Sequence, residues 1–200
     1  YREKPDLLEP LPEYNYRLAQ VGAIVIAHRA RYLEALGAAA SSYHSAFSAG
    51  RENLTLQYHT VSTVEDPFAD KKIIFEQLLS HQESHYRAEL DSGQCLTGPH
   101  KDDLELLLDG RSAASFGSQG QVRTCTLSLK LAERELFFDE DGEYPVLLLD
   151  DVLSELDPRR QEFVLNRIRG GQVFITCCED DRLPQLLGGR IFHVKNGTVR

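Results

Sequence analysis

Residues 146–149 form the segment that most constrains the fold, because four consecutive apolar residues are followed at once by two aspartates. An apolar run of this kind is typical of a strand that is buried on both faces of a parallel sheet. Asp150 and Asp151 then stand at the carboxyl end of that strand, which is the edge where open α/β sheets bind ligands. The segment therefore predicts a buried strand with two acidic side chains at a ligand-binding edge.

Strands and helices alternate along the second half of the chain. Apolar runs predict strands at about 103–108, 145–150 and 172–177, and helical spacing predicts helices at about 120–138 and 158–169. Alternation of this sort predicts an α/β fold with a mostly parallel sheet and helices packed on it. Near the end, Asn196 and Gly197 separate two short apolar stretches, which predicts a two-residue hairpin.

The first half of the chain is predicted to be mainly helical. Helical spacing begins at about Asn15, Gly37 is a predicted break, and a second helix is expected to stop at Gly50. An alternating stretch at 54–59 predicts one strand, and a long helix is expected from about 70 to 90.

The change in pattern predicts two domains, a mainly helical one at 1–91 and an α/β one at 92–200.

Composition describes a folded protein. With 42% hydrophobic and 26% charged residues, the chain is neither a disordered tail nor a membrane span, and its charged opening residues do not form a signal peptide. We therefore expect a cytoplasmic protein. The net charge of −9 argues against nucleic-acid binding by bulk electrostatics. That charge is uneven, since 139–157 holds eight carboxylates and no Lys or Arg, whereas 14–51 holds four Arg and one acid.

Three local features bear on chemistry. One carboxylate of the 150–151 pair can hold Mg²⁺ and the other can polarise a water that attacks a phosphate, or both acids can simply begin a loop. Ser118 and Gln121 fit a capping box at a helix start, and such a helix end also offers N–H groups to a phosphate. Asp157 before Pro158 predicts an N-cap worth about 1 kcal/mol.

Taken in order, these segments resemble motifs of the ABC-type ATPases. Ser-Gln-Gly-Gln at 118–121 resembles their signature motif, 146–151 their Walker B strand, and 154–157 their D-loop. Together with Gly-Pro-His-Lys-Asp-Asp-Leu at 98–104, the residue sequences of these motifs are similar to those of the RecF family. RecF proteins are bacterial recombination and repair proteins related to SMC heads. The resemblance covers about 97–200, while 1–91 is similar only in kind to the arm domain inserted between the two halves of a RecF head.

The resemblance implies ATP and Mg²⁺ as cofactors. It implies that Asp150 is the Mg²⁺-linked acid and that Asp151 is the general base or orients the attacking water. Asp157 would lie at a dimer interface near both nucleotides. Ser118, Gly120 and Gln121 of the signature motif would contact the γ-phosphate of ATP held by the other protomer, and Gln119 of the same motif is a further nucleotide-binding residue.

The resemblance also implies a function for the whole protein, that of an ATP-dependent DNA-binding homodimer in DNA repair, recombination, replication and the SOS response. Such proteins act at gapped DNA and, with RecO and RecR, help to load RecA. Arg29 and Arg31 of the basic helical region are candidate DNA contacts, although a solvated helix face is the favoured interpretation.

Two departures from the family pattern stand out. Cys177 follows the last predicted strand of the lobe, where many ABC ATPases have a His, so His-assisted hydrolysis is not supported. No Gly-x-x-x-x-Gly-Lys-[Ser/Thr] loop occurs, and this loop normally holds the β- and γ-phosphates. The chain also contains no Met. We therefore expect part of a longer protein that does not hydrolyse ATP by itself.

Three other classes of protein predict different features. The nucleotide-binding subunit of a membrane transporter predicts a more standard signature and a His in place of Cys177. An SMC-type structural protein predicts much longer heptad helices. A non-catalytic interaction module, in which the acids are structural, predicts no response of the full-length protein to Mg²⁺ and ATP.

Overall fold

The computed structural model describes residues 8–61, 63–153, 156–168, 170–178 and 189–199. Within those ranges, helices and strands occur together and a parallel sheet is present, which confirms the predicted α/β class. None of the described helices combines the length and the apolar character needed to cross a membrane. The elements in chain order are α1 Leu11–Ser48, β1 Leu54–His59, α2 Lys71–Ser92, a 3₁₀ turn at Pro99–Lys101, β2 Asp103–Leu108, β3 Arg111–Ser112, α3 Ala113–Phe116, α4 Gln119–Asp141, β4 Leu147–Asp150, α5 Pro158–Arg167, β5 Val173–Thr176, β6 Val194–Lys195 and β7 Thr198–Val199.

The chain forms two compact units, and each consists of two separate stretches. The first unit comprises Tyr1–Ala38 and Asn53–Phe116, and the second comprises Ala39–Glu52 and Gly117–Arg200. Helix α1 therefore contributes residues to both units. Neither unit begins or ends near residue 92, and the division of the chain at that residue stays a prediction.

Helix α1 runs without a break through Gly37, so the predicted interruption is wrong. Glycine inside a helix costs about 1 kcal/mol relative to alanine, and the packing of the adjoining turns outweighs that amount. The helix also starts earlier than predicted, with Pro12 in its first turn, where a missing N–H is tolerated. Its end agrees with the prediction, since Ala49 and Gly50 have φ of 56° and 72° and cannot continue the helix.

The first unit contains an antiparallel sheet in the order β1-β2-β3. The sequence placed 103–108 among parallel strands, and this assignment is wrong for the described structure. The reason lies in the turn after β2, where Asp109 and Gly110 have φ of 49° and 76°. Two successive left-handed residues make a tight hairpin, so β2 and β3 must pair in opposite directions.

The core of the first unit lies between α1 and α2. Asp70 caps the start of α2 by accepting a hydrogen bond from the Lys72 N–H at 2.8 Å, and Gly93 ends it in the left-handed conformation. In this core, small side chains of α1 pack with larger apolar side chains of α2 and of the segment after β1. The buried members of this core are Ala19, Ala23, Ile26, Ala27, Val61, Val64, Ile74 and Leu78.

The second unit contains a parallel pair of strands, β4 and β5, joined through α5. This pair confirms the predicted strand-helix-strand order in that region. Leu149 of β4 packs in the core, but Leu148 is 70% exposed and Phe174 of β5 is 51% exposed. The prediction of a strand buried on both faces is therefore wrong for the described chain, because helices cover one face of the pair only. The buried core residues of this unit are Phe47, Leu127, Leu131, Leu149, Leu153, Leu156, Val164, Leu165 and Ile168.

The hairpin predicted near the end of the chain is present. Strands β6 and β7 pair antiparallel, with Val194 opposite Val199. Asn196 and Gly197 between them have φ of 54° and 73°, the two left-handed residues that such a turn requires.

Candidate functional site

Both acidic residues of the 150–151 pair lie at the surface. Asp150 is the last residue of β4 and Asp151 follows it, and both are exposed. Asp151 has φ of 51°, a left-handed conformation that aspartate tolerates better than most residues. Neither side chain is a buried loop filler, so both carboxylates are accessible at the carboxyl end of the parallel strand pair.

Thr176 at the end of β5 holds the two aspartates in place. Its hydroxyl donates to Asp150 Oδ1 and accepts a hydrogen bond from the Asp151 N–H at 3.0 Å. The backbone carbonyl of Thr176 accepts a second bond from the same N–H at 3.2 Å. These contacts stabilise the left-handed backbone of Asp151, and sequence reasoning missed them. The one clue in the sequence is that the carboxyl ends of neighbouring parallel strands lie at the same edge of the sheet.

The arrangement fits a Mg²⁺ ion that takes only one or two of its six ligands from the protein. Among the residues that the structure describes, no group of three or more His, Cys, Asp or Glu side chains could hold a metal ion. Mg²⁺ commonly binds through one or two carboxylates and takes its other ligands from water and substrate phosphates. The exposed carboxylate of Asp150 is suited to that mode of binding.

The start of α4 carries the predicted capping box. Ser118 Oγ accepts from the Gln121 N–H at 3.3 Å, and Gln121 Oε1 accepts from the Ser118 N–H at 2.8 Å. Ser118, Gln119 and Gly120 are exposed, whereas Gln121 is half-buried. The capping box therefore holds the inner side of the helix end, while the outer side of the first turn is exposed to solvent.

Glu52, a residue that sequence reasoning did not single out, binds the other end of the Gln121 amide. Its Oε1 accepts from Gln121 Nε2 at 2.9 Å, and its Oε2 lies 3.0 Å from Nε2 of the buried His44. Burial raises the pKa of the Glu52 carboxyl, but the bonds from Gln121 and His44 and the charge of Arg160 outweigh burial. The pKa therefore lies below its ordinary value.

Asp157 is the N-cap of α5, as predicted, with Pro158 in the first turn. Its Oδ1 accepts from the Arg160 N–H at 3.1 Å, and its Oδ2 lies 3.4 Å from Arg160 Nη1. A Cβ atom placed on Gly120 would lie 4.0 Å from the same Nη1 atom. The Arg160 guanidinium therefore lies beside both the cap of α5 and the first turn of α4, and the sequence contained no signal for this proximity.

Two further predictions from the sequence concern residues 154–155 and Cys177. Ser154 and Glu155 of the D-loop-like segment lie outside the described residues. Cys177 is exposed directly after β5, in the position where the family comparison from sequence expected a His.

The Gly-Pro-His-Lys-Asp-Asp segment forms a turn in the first unit. Gly98 has φ of 125° and ψ of 170°, a conformation open only to glycine. Asp102 Oδ2 accepts from Tyr58 Oη at 2.5 Å and from Arg29 Nη1 at 3.0 Å. Arg29 is therefore exposed to solvent, but its guanidinium is bound to Asp102. The solvated helix face favoured by the sequence describes Arg29 only in part. Arg31 is exposed.

The chain was compared with known proteins. No protein-family model matches it. The DNA replication and repair protein RecF of Bacillus velezensis is 44% identical over 189 residues, which is 92% of this chain and 50% of the relative. The protein of the same name from Synechococcus sp. (strain JA-3-3Ab) is 43% identical over 197 residues, 97% of this chain and 52% of the relative. The chain thus spans about half the length of these curated relatives.

Solved structures agree with these relatives. The recombination mediator protein RecF with ATPrS, of the RecFOR pathway, superposes with a TM-score of 0.80 at 34% identity and covers 98% of this chain and 50% of that chain. The same protein with ATP gives the same values. Identity at this level over nearly the whole chain, together with the matching fold, shows that the chain belongs to the RecF family.

Proposed function

We propose that the chain is the arm and the C-terminal head lobe of a RecF-type, ATP-dependent DNA-binding protein that acts in DNA repair, recombination and replication. The observation that carries this proposal is the exposed Asp150–Asp151 pair, held by Thr176 at the carboxyl end of a parallel strand. The two solved RecF structures, one with ATPrS and one with ATP, supply the class of nucleotide.

The two aspartates divide the work of hydrolysis in this proposal. Asp150 is the residue that would hold Mg²⁺, which neutralises charge on the β- and γ-phosphates when it is bound. Asp151 orients the attacking water and accepts its proton. The bonds from its N–H to Thr176 hold the backbone of Asp151, which fixes the point from which its exposed carboxylate extends.

The start of α4 serves a different nucleotide in this proposal, the one bound by a second copy of the protein. Its first turn is exposed, carries the positive end of the helix dipole and is held by a capping box. Asp157 at the cap of α5 lies close by through Arg160. ATP between two copies closes the dimer, and hydrolysis opens it.

An exposed apolar sheet face supports the proposal that further chain packs on the second unit. On the β4–β5 pair, Leu148 is 70% exposed and Phe174 is 51% exposed. Val146, which directly precedes β4, is 56% exposed. Parallel sheets are normally covered on both faces. The RecF relatives are about twice as long as this chain, and the phosphate loop absent from the 200 residues would lie in that additional part.

ATP-dependent self-association of the full-length protein tests this function. With Mg²⁺ and ATP the wild-type protein is expected to sediment as a dimer and without ATP as a monomer. Ser118→Arg places a bulky side chain at the exposed helix start and is expected to abolish the dimer while leaving ATP binding by the monomer unchanged.

The matched control is Ser42→Arg, which makes the same change at an exposed position in the middle of a helix. It is expected to dimerise normally. A wild-type protein that stays monomeric with ATP, or a Ser118→Arg variant that dimerises as well as Ser42→Arg, would contradict the proposal.

The proposed partners follow from the same family assignment. The protein binds gapped DNA in the cytoplasm in this proposal. RecO and RecR are its pathway partners, and RecA is the protein that is loaded onto single-stranded DNA. Because Arg29 is bound to Asp102, Arg31 is the better candidate of the two arginines for a phosphate contact.

Removing the Thr176 hydroxyl should weaken hydrolysis. Thr176→Val keeps the shape of the side chain but loses the two hydrogen bonds of the hydroxyl, to Asp150 Oδ1 and from the Asp151 N–H, while the backbone bond to Asp151 remains. We expect the steady-state ATPase rate of the full-length protein to fall about tenfold. Thr176→Ser keeps the hydroxyl and is expected to retain most of the rate. Equal rates for the Val and Ser variants would show that Thr176 does not position the pair.

A further inference from the structure

The side-chain amide of Gln121 is engaged at both ends. Its oxygen accepts from the Ser118 N–H at 2.8 Å, and its nitrogen donates to Glu52 Oε1 at 2.9 Å. The amide therefore joins the first turn of α4 to a residue 69 positions earlier in the chain. This is a poor arrangement for a side chain whose task is to bind a phosphate directly, and a good one for a side chain that holds the helix end.

The last turn of α1 brings Glu52 to this position. Ala49 and Gly50 adopt left-handed conformations and reverse the chain. Ser48 Oγ then accepts from the Glu52 N–H at 3.3 Å. The reversal returns the Glu52 side chain onto His44, whose side chain is fully buried, with 3.0 Å between Oε2 and Nε2.

His44 in turn faces α4. Its Nδ1 lies 3.9 Å from Sγ of Cys125, which is one helical turn beyond Gln121 on the same face. Burial, followed by the charge of Glu52, raises the pKa of the Cys125 thiol to about 11, so the thiol keeps its hydrogen and can donate it to Nδ1. Because a carboxylate only accepts, Nε2 of His44 carries the hydrogen that bonds Glu52.

The result is a continuous chain of hydrogen bonds on the inner side of α4, which runs from the Ser118 N–H through Gln121, Glu52 and His44 to Cys125. Glu52 occupies the centre and accepts from both His44 and Gln121. An amide in place of this carboxylate would set an NH₂ group against one of the two donors. Leaving a donor of this kind unpaired in a half-buried site is costly.

We propose that Glu52 and His44 are positioning residues for the nucleotide-facing end of α4. They fix the Gln121 amide, the amide closes the capping box on Ser118, and the exposed first turn at Gln119 and Gly120 is thereby held in the geometry that meets a phosphate of ATP on a second copy. This inference rests on the proposed function and deepens it, since it assigns Gln121 to the support of the helix end and not to contact with the phosphate.

An exchange of the two side chains tests the inference in the full-length protein. Glu52→Gln alone turns an NH₂ group toward the donor of either Gln121 or His44, and Gln121→Glu alone sets two carboxylates against each other. The double variant reverses donor and acceptor and keeps every bond. Its new amide at position 52 would accept from His44 and donate to the new carboxylate at position 121, which would still accept from the Ser118 N–H. The exchange also keeps the net charge.

The measurement is the ATP concentration at half-maximal dimer formation, followed by sedimentation velocity. We expect each single variant to need roughly tenfold more ATP than wild type, which corresponds to the loss of one hydrogen bond to a charged group. The double variant is expected to recover to within about twofold of wild type. Binding of ATP by each monomer is expected to stay unchanged, and backbone hydrogen exchange at 118–121 is expected to be faster in the single variants only.

The outcomes separate this inference from the proposed function. A wild-type protein that does not dimerise with ATP overturns the proposed function and the inference with it. If the wild type dimerises and Glu52→Gln behaves identically, the inference alone is wrong. A double variant that folds and binds ATP but does not dimerise also overturns it, because Gln121 is then needed for its own contact. Where a single variant unfolds, the double variant decides alone.

Discussion

Replacing Asp151 by Asn is expected to slow ATP hydrolysis by the full-length protein at least about a hundredfold, the usual contribution of a general base. Asn has the same shape and tolerates the left-handed backbone at this position, where φ is 51°. The bonds from the backbone N–H to Thr176 persist in the variant. The variant loses the negative charge of the carboxylate and with it the ability to accept a proton from water, and single-turnover phosphate release measures that step directly.

The same variant should dimerise at least as readily with ATP, because its nucleotide persists unhydrolysed. The matched control is Asp109→Asn, which makes the same change at another exposed aspartate with a left-handed backbone, φ 49°, in the β2–β3 turn. Asp109→Asn is expected to hydrolyse ATP at the wild-type rate. Hydrolysis by Asp151→Asn within a few-fold of this control would exclude Asp151 as the base.

Replacing Leu54 by Ala is expected to destabilise the first unit by about 2–5 kcal/mol. Leu54 begins β1, pairs with Leu108 and is fully buried, so the shorter side chain leaves a cavity that the sheet cannot easily close. Urea unfolding of the 200-residue chain, followed by circular dichroism, would show the midpoint shifted to lower urea with little change in slope.

Leu148→Ala supplies the control for Leu54, because it is the same substitution on a strand at a side chain that is 70% exposed. In the 200-residue chain it is expected to change the free energy of unfolding by less than about 0.5 kcal/mol. In the full-length protein the cost should rise, since we propose that further chain covers this sheet face. Equal stability losses for the two variants in the shorter chain would contradict the burial described for Leu54 and Leu148.

Sequence reasoning was most successful where the interaction is local. The N-caps at Ser118 and Asp157 and the hairpin at Asn196–Gly197 were all predicted and are all present. Each depends on groups within about three positions of one another, so residue type and spacing suffice to predict it. The family resemblance rested on the same short segments and is confirmed by relatives at 38–44% identity.

The errors concern packing between distant segments. Gly37 was predicted to end a helix that continues through it, and residues 103–108 were assigned to a parallel arrangement although their strand pairs antiparallel. Local propensity at a glycine is a small free energy that packing overrides. The Asp109–Gly110 turn carried a usable hairpin signal, and it was overlooked.

What the sequence determined by itself is the order of helices and strands in the second unit, the caps that begin α4 and α5, and the family, because these depend on near neighbours and on the spelling of short motifs. What only the tertiary structure decided is the support of the candidate site. Thr176 reaches Asp150 and Asp151 because β4 and β5 align in one register, and Glu52 reaches Gln121 because α1 ends in a chain reversal beside α4. Neither contact follows from residue spacing, because each depends on how separate helices and strands pack their apolar faces together.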